Sequence, residues 1–267
     1  MSGENMVWGK DVRLSRITKK GKMLCVPMDH GVTLGPIKGI ARIESTVKAV
    51  SSGGATAVIL HKGIIKSLKY APGIGLVMHL SASTVLSNYP NWKVLVGSIE
   101  EGLRLGADAI SIHVNLGNMH EHKMLRYLGL IAAHCDSWGI PLLAMMYPRG
   151  ENIKDPLDPK YLSHVVRVGA ELGADIVKTP YSGSPNTFKQ VVEACPVPVV
   201  IAGGPKVEND VEVLRMVKGA MEAGAIGVTI GRNVFAHENP TLMVSAIGKI
   251  VFEEASVEKA SEVLEQK

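Results

Sequence analysis

Four times along this chain a helical pattern closes on Gly-Ala and a β-type run follows within two residues. The four are Gly54-Ala55-Thr56-Ala57-Val58, Gly106-Ala107-Asp108-Ala109-Ile110, Gly173-Ala174-Asp175-Ile176-Val177 and Gly224-Ala225-Ile226-Gly227-Val228. Glycine after a helix tolerates the left-handed turn that ends it. A short loop of this kind feeding a β-branched run belongs to the βα units of a parallel sheet. The repeat therefore excludes most all-α and all-β folds before any other residue is considered.

Counting the β-type runs completes the pattern. Leu24–Asp29, Ala57–His61, Gly75–Leu80, Ala109–Val114, Leu142–Tyr147, Asp175–Thr179, Pro198–Ala202 and Gly227–Gly231 give eight strands. Helical stretches lie between most of them, at Ile43–Ser51, Glu100–Leu105, Glu121–Trp138, Pro159–Leu172, Ser184–Glu193, Glu208–Ala223 and Pro240–Glu254. Eight strand–helix units in 267 residues point to an α/β fold of the (β/α)8 type, which commonly runs to about 250 residues as a single domain. A doubly wound open sheet would ordinarily have about six strands. Val94–Ser98 is an extra apolar run with no place in this scheme. Residues 1–20 form an N-terminal extension, in which Val12 to Ile17 has the pattern of a short helix over the barrel bottom, and 255–267 form a tail. No Ser/Gly linker divides the chain, so one domain spanning 1–267 is expected.

Hydrophobic residues make up 46% of the chain and charged residues 20%, so a large core is available. Aromatics are only 4%, and the core must be built from Val, Ile, Leu, Ala and Met, as the interior of a parallel sheet usually is. The net charge of +4 is scattered; the densest basic group, Lys19-Lys20-Gly21-Lys22, is too short for a nucleic-acid surface. Cys25, Cys135 and Cys195 form no C-x-x-C pair and read as buried thiols in a reducing compartment. Met1-Ser2-Gly3-Glu4-Asn5 lacks the apolar core of a signal peptide, and no apolar run approaches the roughly 18 residues of a membrane span. A cytoplasmic protein that uses neither nucleic acid nor membrane is the expectation.

Active sites of such barrels gather at the C-terminal ends of the strands. Here strand 1 ends in Asp29-His30-Gly31, strand 5 in Tyr147-Pro148-Arg149-Gly150 and strand 6 in Lys178. Strand 7 ends in Gly203-Gly204-Pro205-Lys206 and strand 8 in Gly231-Arg232-Asn233. The last two turns read as a phosphate site, because glycines let backbone N–H groups approach an oxyanion and Arg232 adds charge-assisted hydrogen bonds. The plainer alternative is two ordinary βα turns that use glycine for steric reasons, but both turns fall at the pair of strands where phosphate sites are expected.

Lys178 admits two readings. It is either an amine that attacks a ketone to form a Schiff base, or a strand-end lysine whose stem covers apolar surface while its ammonium reaches water. For the first, burial among aliphatics such as Ile176 and Val177 and a second cation such as Arg149 are the means by which a protein favours a neutral amine. Cleaving a C–C bond through an imine also needs proton shuttles, for which Asp29 and Tyr147 are the candidates. Their plainer roles are a helix-capping Asp and a core-edge Tyr. A rival chemistry starts from His30, His61, His79 and His113 at or near the ends of strands 1 to 4. Three such histidines could hold a divalent metal that polarises a carbonyl, although no H-x-H or H-E-x-x-H spacing supports a ligand set. A sugar-phosphate sensor without catalysis is a third reading; a sensor needs charge pairing and has no use for a nucleophile.

Six segments carry a resemblance: Met28-Asp29-His30-Gly31-Val32, Gly35-Pro36-Ile37-Lys38-Gly39, Met145-Met146-Tyr147-Pro148-Arg149-Gly150, Asp175-Ile176-Val177-Lys178-Thr179, Gly203-Gly204-Pro205-Lys206 and Gly231-Arg232-Asn233. In this order they resemble the archaeal class I aldolase family, over a span from about Val12 to Glu254. The resemblance implies a TIM barrel, a Schiff-base lysine at Lys178, a proton acceptor at Asp29 and a proton donor at Tyr147. It implies substrate contacts at Asp29, His30, Gly31, Val32 and Thr33, at Tyr147, Pro148 and Arg149, at Gly203 and Gly204, and at Gly231 and Arg232. No cofactor and no metal are implied. The implied reaction is a transaldol transfer from 6-deoxy-5-ketofructose 1-phosphate to L-aspartate semialdehyde, early in aromatic amino-acid biosynthesis, and the resemblance implies a homo-oligomer, a decamer. Class I fructose-1,6-bisphosphate aldolases are the nearest neighbours of that activity. They tend to have an aromatic residue where Met28 stands and bulkier or more polar residues at Met145-Met146; two thioethers here suggest a less polar acceptor pocket. The chain departs from the family pattern at Pro180, where a small or polar residue is expected, and at Ser184, where an acid is expected.

Overall fold

The structure, a computed structural model, describes residues 8–265. Eight parallel strands close into a barrel in chain order, the first pairing with the last to complete the ring. They are β1 (Met23–Pro27), β2 (Ala57–Leu60), β3 (Gly75–His79), β4 (Ala109–Leu116), β5 (Leu142–Pro148), β6 (Ile176–Pro180), β7 (Val199–Ala202) and β8 (Gly227–Thr229). The expected (β/α)8 architecture is therefore the one observed. The four Gly-Ala junctions act as the pattern requires: Gly54, Gly106, Gly173 and Gly224 have φ of 92°, 78°, 97° and 96°, values that a side chain would strain.

Strand alternation divides the core in two. Leu24, Val26, Val58, Leu76, Ile110, Ile112, Ala144, Met146, Val177, Ile201 and Val228 face outward and pack with the helices in one large cluster. Met23, Cys25, Ala57, Ile59, Val77, Ala109, Leu143, Met145, Tyr147, Ile176, Val200 and Ala202 form a second cluster inside the barrel. The period of two fixes which residues meet which environment. Tertiary burial of both faces explains why the strands read as continuous apolar runs.

The helices start on sequence signals. Asp158, Ser184, Asn209 and Asn239 each accept a backbone N–H of the first turn, and Pro159, Pro185 and Pro240 follow the cap. The departure at Ser184 is thus explained locally: its hydroxyl accepts from Thr187 N and caps Pro185–Glu193. The bottom of the barrel is closed by the helix Trp8–Ile17, longer than the expected Val12–Ile17. Ile17 is fully buried in the interior cluster, and Gly75 permits it, since a Cβ there would stand 2.7 Å from the Arg16 carbonyl. Lys10 on this helix pairs with Asp136 and, at 2.8 Å, with Asp175.

Several boundaries differ from expectation. β1 stops at Pro27, and Asp29 lies in the turn that opens a short helix, His30–Leu34. Part of the unplaced run Val94–Ser98 is a two-residue antiparallel ribbon, Val94–Leu95 on Ser81–Ala82. The expected tail contains the helix Val257–Leu264, whose Ala260 is buried against its neighbours. The first seven residues of the expected extension lie outside the described residues.

Candidate active site

Lys178 projects into the barrel from β6 because Ile176 and Lys178 share the inward phase while Val177 faces the helices. Val177 therefore belongs to the outer core and does not surround the amine, contrary to expectation. Lys178 is 5% exposed, lines a cavity of about 480 Å³ and has no hydrogen-bond or ion-pair partner among the described residues. A buried lysine without a partner is unusual. Met145 is its register partner on β5 and Val200 its partner on β7.

Tyr147 stands two residues beyond Met145 on the same inward row and lines the same cavity. Its ring is held between His113, with centroids 4.7 Å apart, and the Arg149 guanidinium, 4.5 Å above the ring centre. His113 is fixed in turn by donating from Nε2 to Asn115 Oδ1, 2.9 Å away. Stacking of this kind orients a phenol without engaging its hydroxyl.

Asp29 approaches from β1. His30 Nδ1 and His79 Nε2 each lie 3.7 Å from one of its carboxylate oxygens, and Oδ1 is buried without a hydrogen-bond partner. Burial alone would raise this carboxyl, but the adjacent histidines and the Lys178 ammonium hold it below the usual carboxylate range. His79 is pushed down to about 3 by its own burial. His79 Nδ1 is bonded to Ser111 Oγ at 2.8 Å. No group of three or more His, Cys, Asp or Glu side chains among the described residues is arranged to hold a metal ion.

The two glycine turns come together on the far wall. Gly203, Gly204, Gly231 and Arg232 all line the cavity. Gly204 has φ +66°, so the turn after β7 needs glycine there. Asn233 staples the two turns: its Nδ2 donates to the carbonyls of Gly203 (2.8 Å) and Pro205 (2.9 Å), and its Oδ1 accepts from Val207 N (2.9 Å). Arg232 Nε is buried with no hydrogen-bond partner among the described residues, and burial followed by the nearby Arg149 charge lowers its affinity for a proton. Two guanidiniums facing a cavity without a carboxylate beside them suit an anion.

The expected site residues are mostly brought together. Pro148 and Arg149 line the cavity with Tyr147, as does His30. Asp29 lies behind His30, off the lining. Gly31, Val32 and Thr33 do not line it: they turn away in the short helix, where Val32 is 40% exposed and Thr33 O accepts from Val85 N. The acceptor-pocket argument from methionines is corrected too. Met28 and Met146 face the helix shell, and Met145 is buried one layer below Tyr147. Sequence reasoning missed Asn233 as a brace and Lys93 altogether. Asn233 was visible inside a glycine turn; Lys93 gave no signal, because its loop follows neither the helical nor the strand period.

Residues 23–237 match the family model described as DeoC/LacD family aldolase. The chain is 44% identical over 253 residues to 2-amino-3,7-dideoxy-D-threo-hept-6-ulosonate synthase of Halobacterium salinarum, covering 94% of this chain and 95% of the relative. It is 41% identical over 251 residues to 2-amino-4,5-dihydroxy-6-oxo-7-(phosphonooxy)heptanoate synthase of Streptomyces griseus, covering 92% of each. An archaeal fructose-1,6-bisphosphate aldolase, solved with its catalytic Lys bound to the carbinolamine intermediate, superposes with a TM-score of 0.85 at 30% identity, over 90% of this chain and 98% of that one.

Proposed function

The chain belongs to the DeoC/LacD family of aldolases, and from that membership we propose that it is a Schiff-base transaldolase, a 2-amino-3,7-dideoxy-D-threo-hept-6-ulosonate synthase serving the route to 3-dehydroquinate in aromatic amino-acid biosynthesis. Its donor is 6-deoxy-5-ketofructose 1-phosphate and its acceptor L-aspartate semialdehyde. The observation that carries the chemistry is the buried Lys178 amine, unpartnered among the described residues, which lines a cavity of about 480 Å³ together with Tyr147 and acts on the charge of Asp29. The choice of substrates rests on the 44% identity to the Halobacterium synthase.

In this reading the Lys178 amine adds to the donor ketone and water leaves, giving an imine. The protonated imine draws electrons from the adjacent carbon. Asp29 takes the proton of the donor hydroxyl, the C–C bond breaks, and hydroxypyruvaldehyde phosphate departs. The enamine left on Lys178 attacks the acceptor carbonyl, whose oxygen takes a proton as it becomes a hydroxyl. Tyr147 is the proton donor on this path, and water then releases the product from Lys178. Gly203, Gly204, Gly231 and Arg232 hold the donor phosphate, with Arg149 beside them.

Borohydride trapping with donor, followed by peptide mass spectrometry, tests the reading. Expected is one adduct, on Lys178, and product only when both substrates are present. Full activity in Lys178→Ala would overturn it. Fructose 1,6-bisphosphate, run in parallel, tests the second reading suggested by the structural neighbours; cleavage of that sugar faster than transaldol transfer would establish a bisphosphate aldolase. No helix among the described residues is long and apolar enough to cross a membrane, and three buried free thiols support a cytoplasmic enzyme. A homo-oligomer, decameric by resemblance, is supported by exposed apolar side chains such as Leu86, which is 93% exposed.

A further inference from the structure

The barrel mouth holds a second buried lysine that the reaction above does not use. Lys93 is 8% exposed and lies just before the ribbon strand Val94–Leu95, on the β3–β4 side. Its ammonium donates to Ser83 Oγ at 2.6 Å, and no carboxylate among the described residues pairs with it. The loop that carries it is pinned to the barrel wall, because Asn115 on β4 donates from Nδ2 to the Asn91 carbonyl at 2.7 Å. A fixed, buried cation whose side-chain hydrogen bond goes to a neutral hydroxyl is costly unless an anion joins it.

Lys93 also has a definite place among the other charges. Arg149 lies close enough to disfavour the charge of both Lys93 and Arg232, while neither of those two perturbs the other. The barrel closes in chain order, which sets the β3–β4 side carrying Lys93 opposite the β7–β8 side carrying Arg232 and the glycine turns, while Arg149 follows β5. The Lys93 charge reaches His30, His61, His79 and His113, and the Asp29 charge reaches Lys93. Burial, His79 included, keeps these imidazoles from adding charge at neutral pH.

We infer that Lys93 is the specificity residue for the acceptor, receiving the carboxylate of the amino-acid aldehyde while Arg232 and the glycine turns serve the donor phosphate. This inference rests on the transaldolase reading. The two aldehydes meet the enamine at the same carbon in turn but end in different anions, and the two sides of the mouth offer a station for each. The acceptor's carboxylate joins Lys93 by a charge-assisted hydrogen bond that a neutral aldehyde cannot make. Burial and then Arg149 push Lys93 down to about 8, against the pull of Asp29. The contact is consequently full below that pH and lost above it.

The test compares wild type, Lys93→Met and Lys93→Arg at saturating donor, with L-aspartate semialdehyde or neutral glyceraldehyde as acceptor. For Lys93→Met, kcat/KM for aspartate semialdehyde should fall roughly 10- to 100-fold, mostly through KM. The value for glyceraldehyde should change less than about threefold, and borohydride trapping of donor on Lys178 should proceed as in wild type. Lys93→Arg should restore most of the loss. In wild type, KM for aspartate semialdehyde should climb as pH rises through about 8, and in Lys93→Arg that climb should move to higher pH. Equal losses for both acceptors, no loss for either, a pH profile unmoved by Lys93→Arg, or a weakened donor with the acceptor unaffected would each overturn the assignment. Wild-type enzyme that traps donor but never uses aspartate semialdehyde would overturn the transaldolase reading, and this inference with it.

Discussion

Met145 on β5 and Lys178 on β6 are register partners, so Tyr147, two residues further along the inward row, stands one layer above the amine. Under the proposed transaldolase reading, imine formation and later proton transfer are therefore separable. Lys178→Met should abolish the borohydride-trapped adduct. Tyr147→Phe should still trap donor but turn over about 10²- to 10⁴-fold more slowly. A Tyr147→Phe enzyme with normal turnover would remove the phenol from the mechanism.

Asn233 makes three hydrogen bonds that bind the turn after β7 to the turn after β8. Asn233→Leu leaves two carbonyls and an N–H without their partner, at a cost to stability of about 1–3 kcal/mol for each group left unsatisfied. The glycine turns should loosen with it. KM for the phosphorylated donor should rise while trapping at high donor concentration persists, as initial-rate kinetics would show.

His79 is buried, and its pKa is pushed down from 6.5 to about 3. Between these values the unfolded chain binds a proton that the folded chain refuses, so stability is full above about 6.5 and falls as pH drops toward 3. His30 and His61, also lowered by burial, add to the same slope. Urea midpoints measured at pH 7.5 and pH 5 should decrease on acidification, and His79→Gln should shrink the decrease.

Met28 and Met146 pack against the helix shell and not into the cavity. Met28→Phe should lower the melting temperature by overpacking. The ratio of transaldol to bisphosphate-cleaving activity should stay within about twofold. A large swing in that ratio would restore the acceptor-pocket argument.

How legible the site was depended on how local its cause was. The Gly-Ala junctions announced the barrel because a positive φ after a helix is a one-residue requirement, met at Gly54, Gly106, Gly173 and Gly224. Lys178, Tyr147 and Arg232 could be placed from strand ends alone. Asp29 could be chosen but not located: Pro27 ends β1 two residues early, and the short helix after it carries Val32 and Thr33 away from the cavity. The side on which Met28 and Met146 pack followed from strand phase, which the apolar runs conceal because both faces of each strand are buried. Lys93 depends on a loop closing over β4 through Asn115 and Asn91, a contact between distant segments that leaves no periodic trace.

The two-cluster core has a consequence for how such an enzyme can diversify. Residues of odd phase on β5, such as Met145 and Tyr147, meet the cavity or the layer beneath it, whereas Met146 packs with the helix shell. Substitutions in the two sets act on different neighbours and should combine almost additively. A lineage can thus trial new chemistry on one set while its durability rests on the other. A single-residue insertion within a strand is the change it cannot survive, because that would exchange the two sets at a stroke.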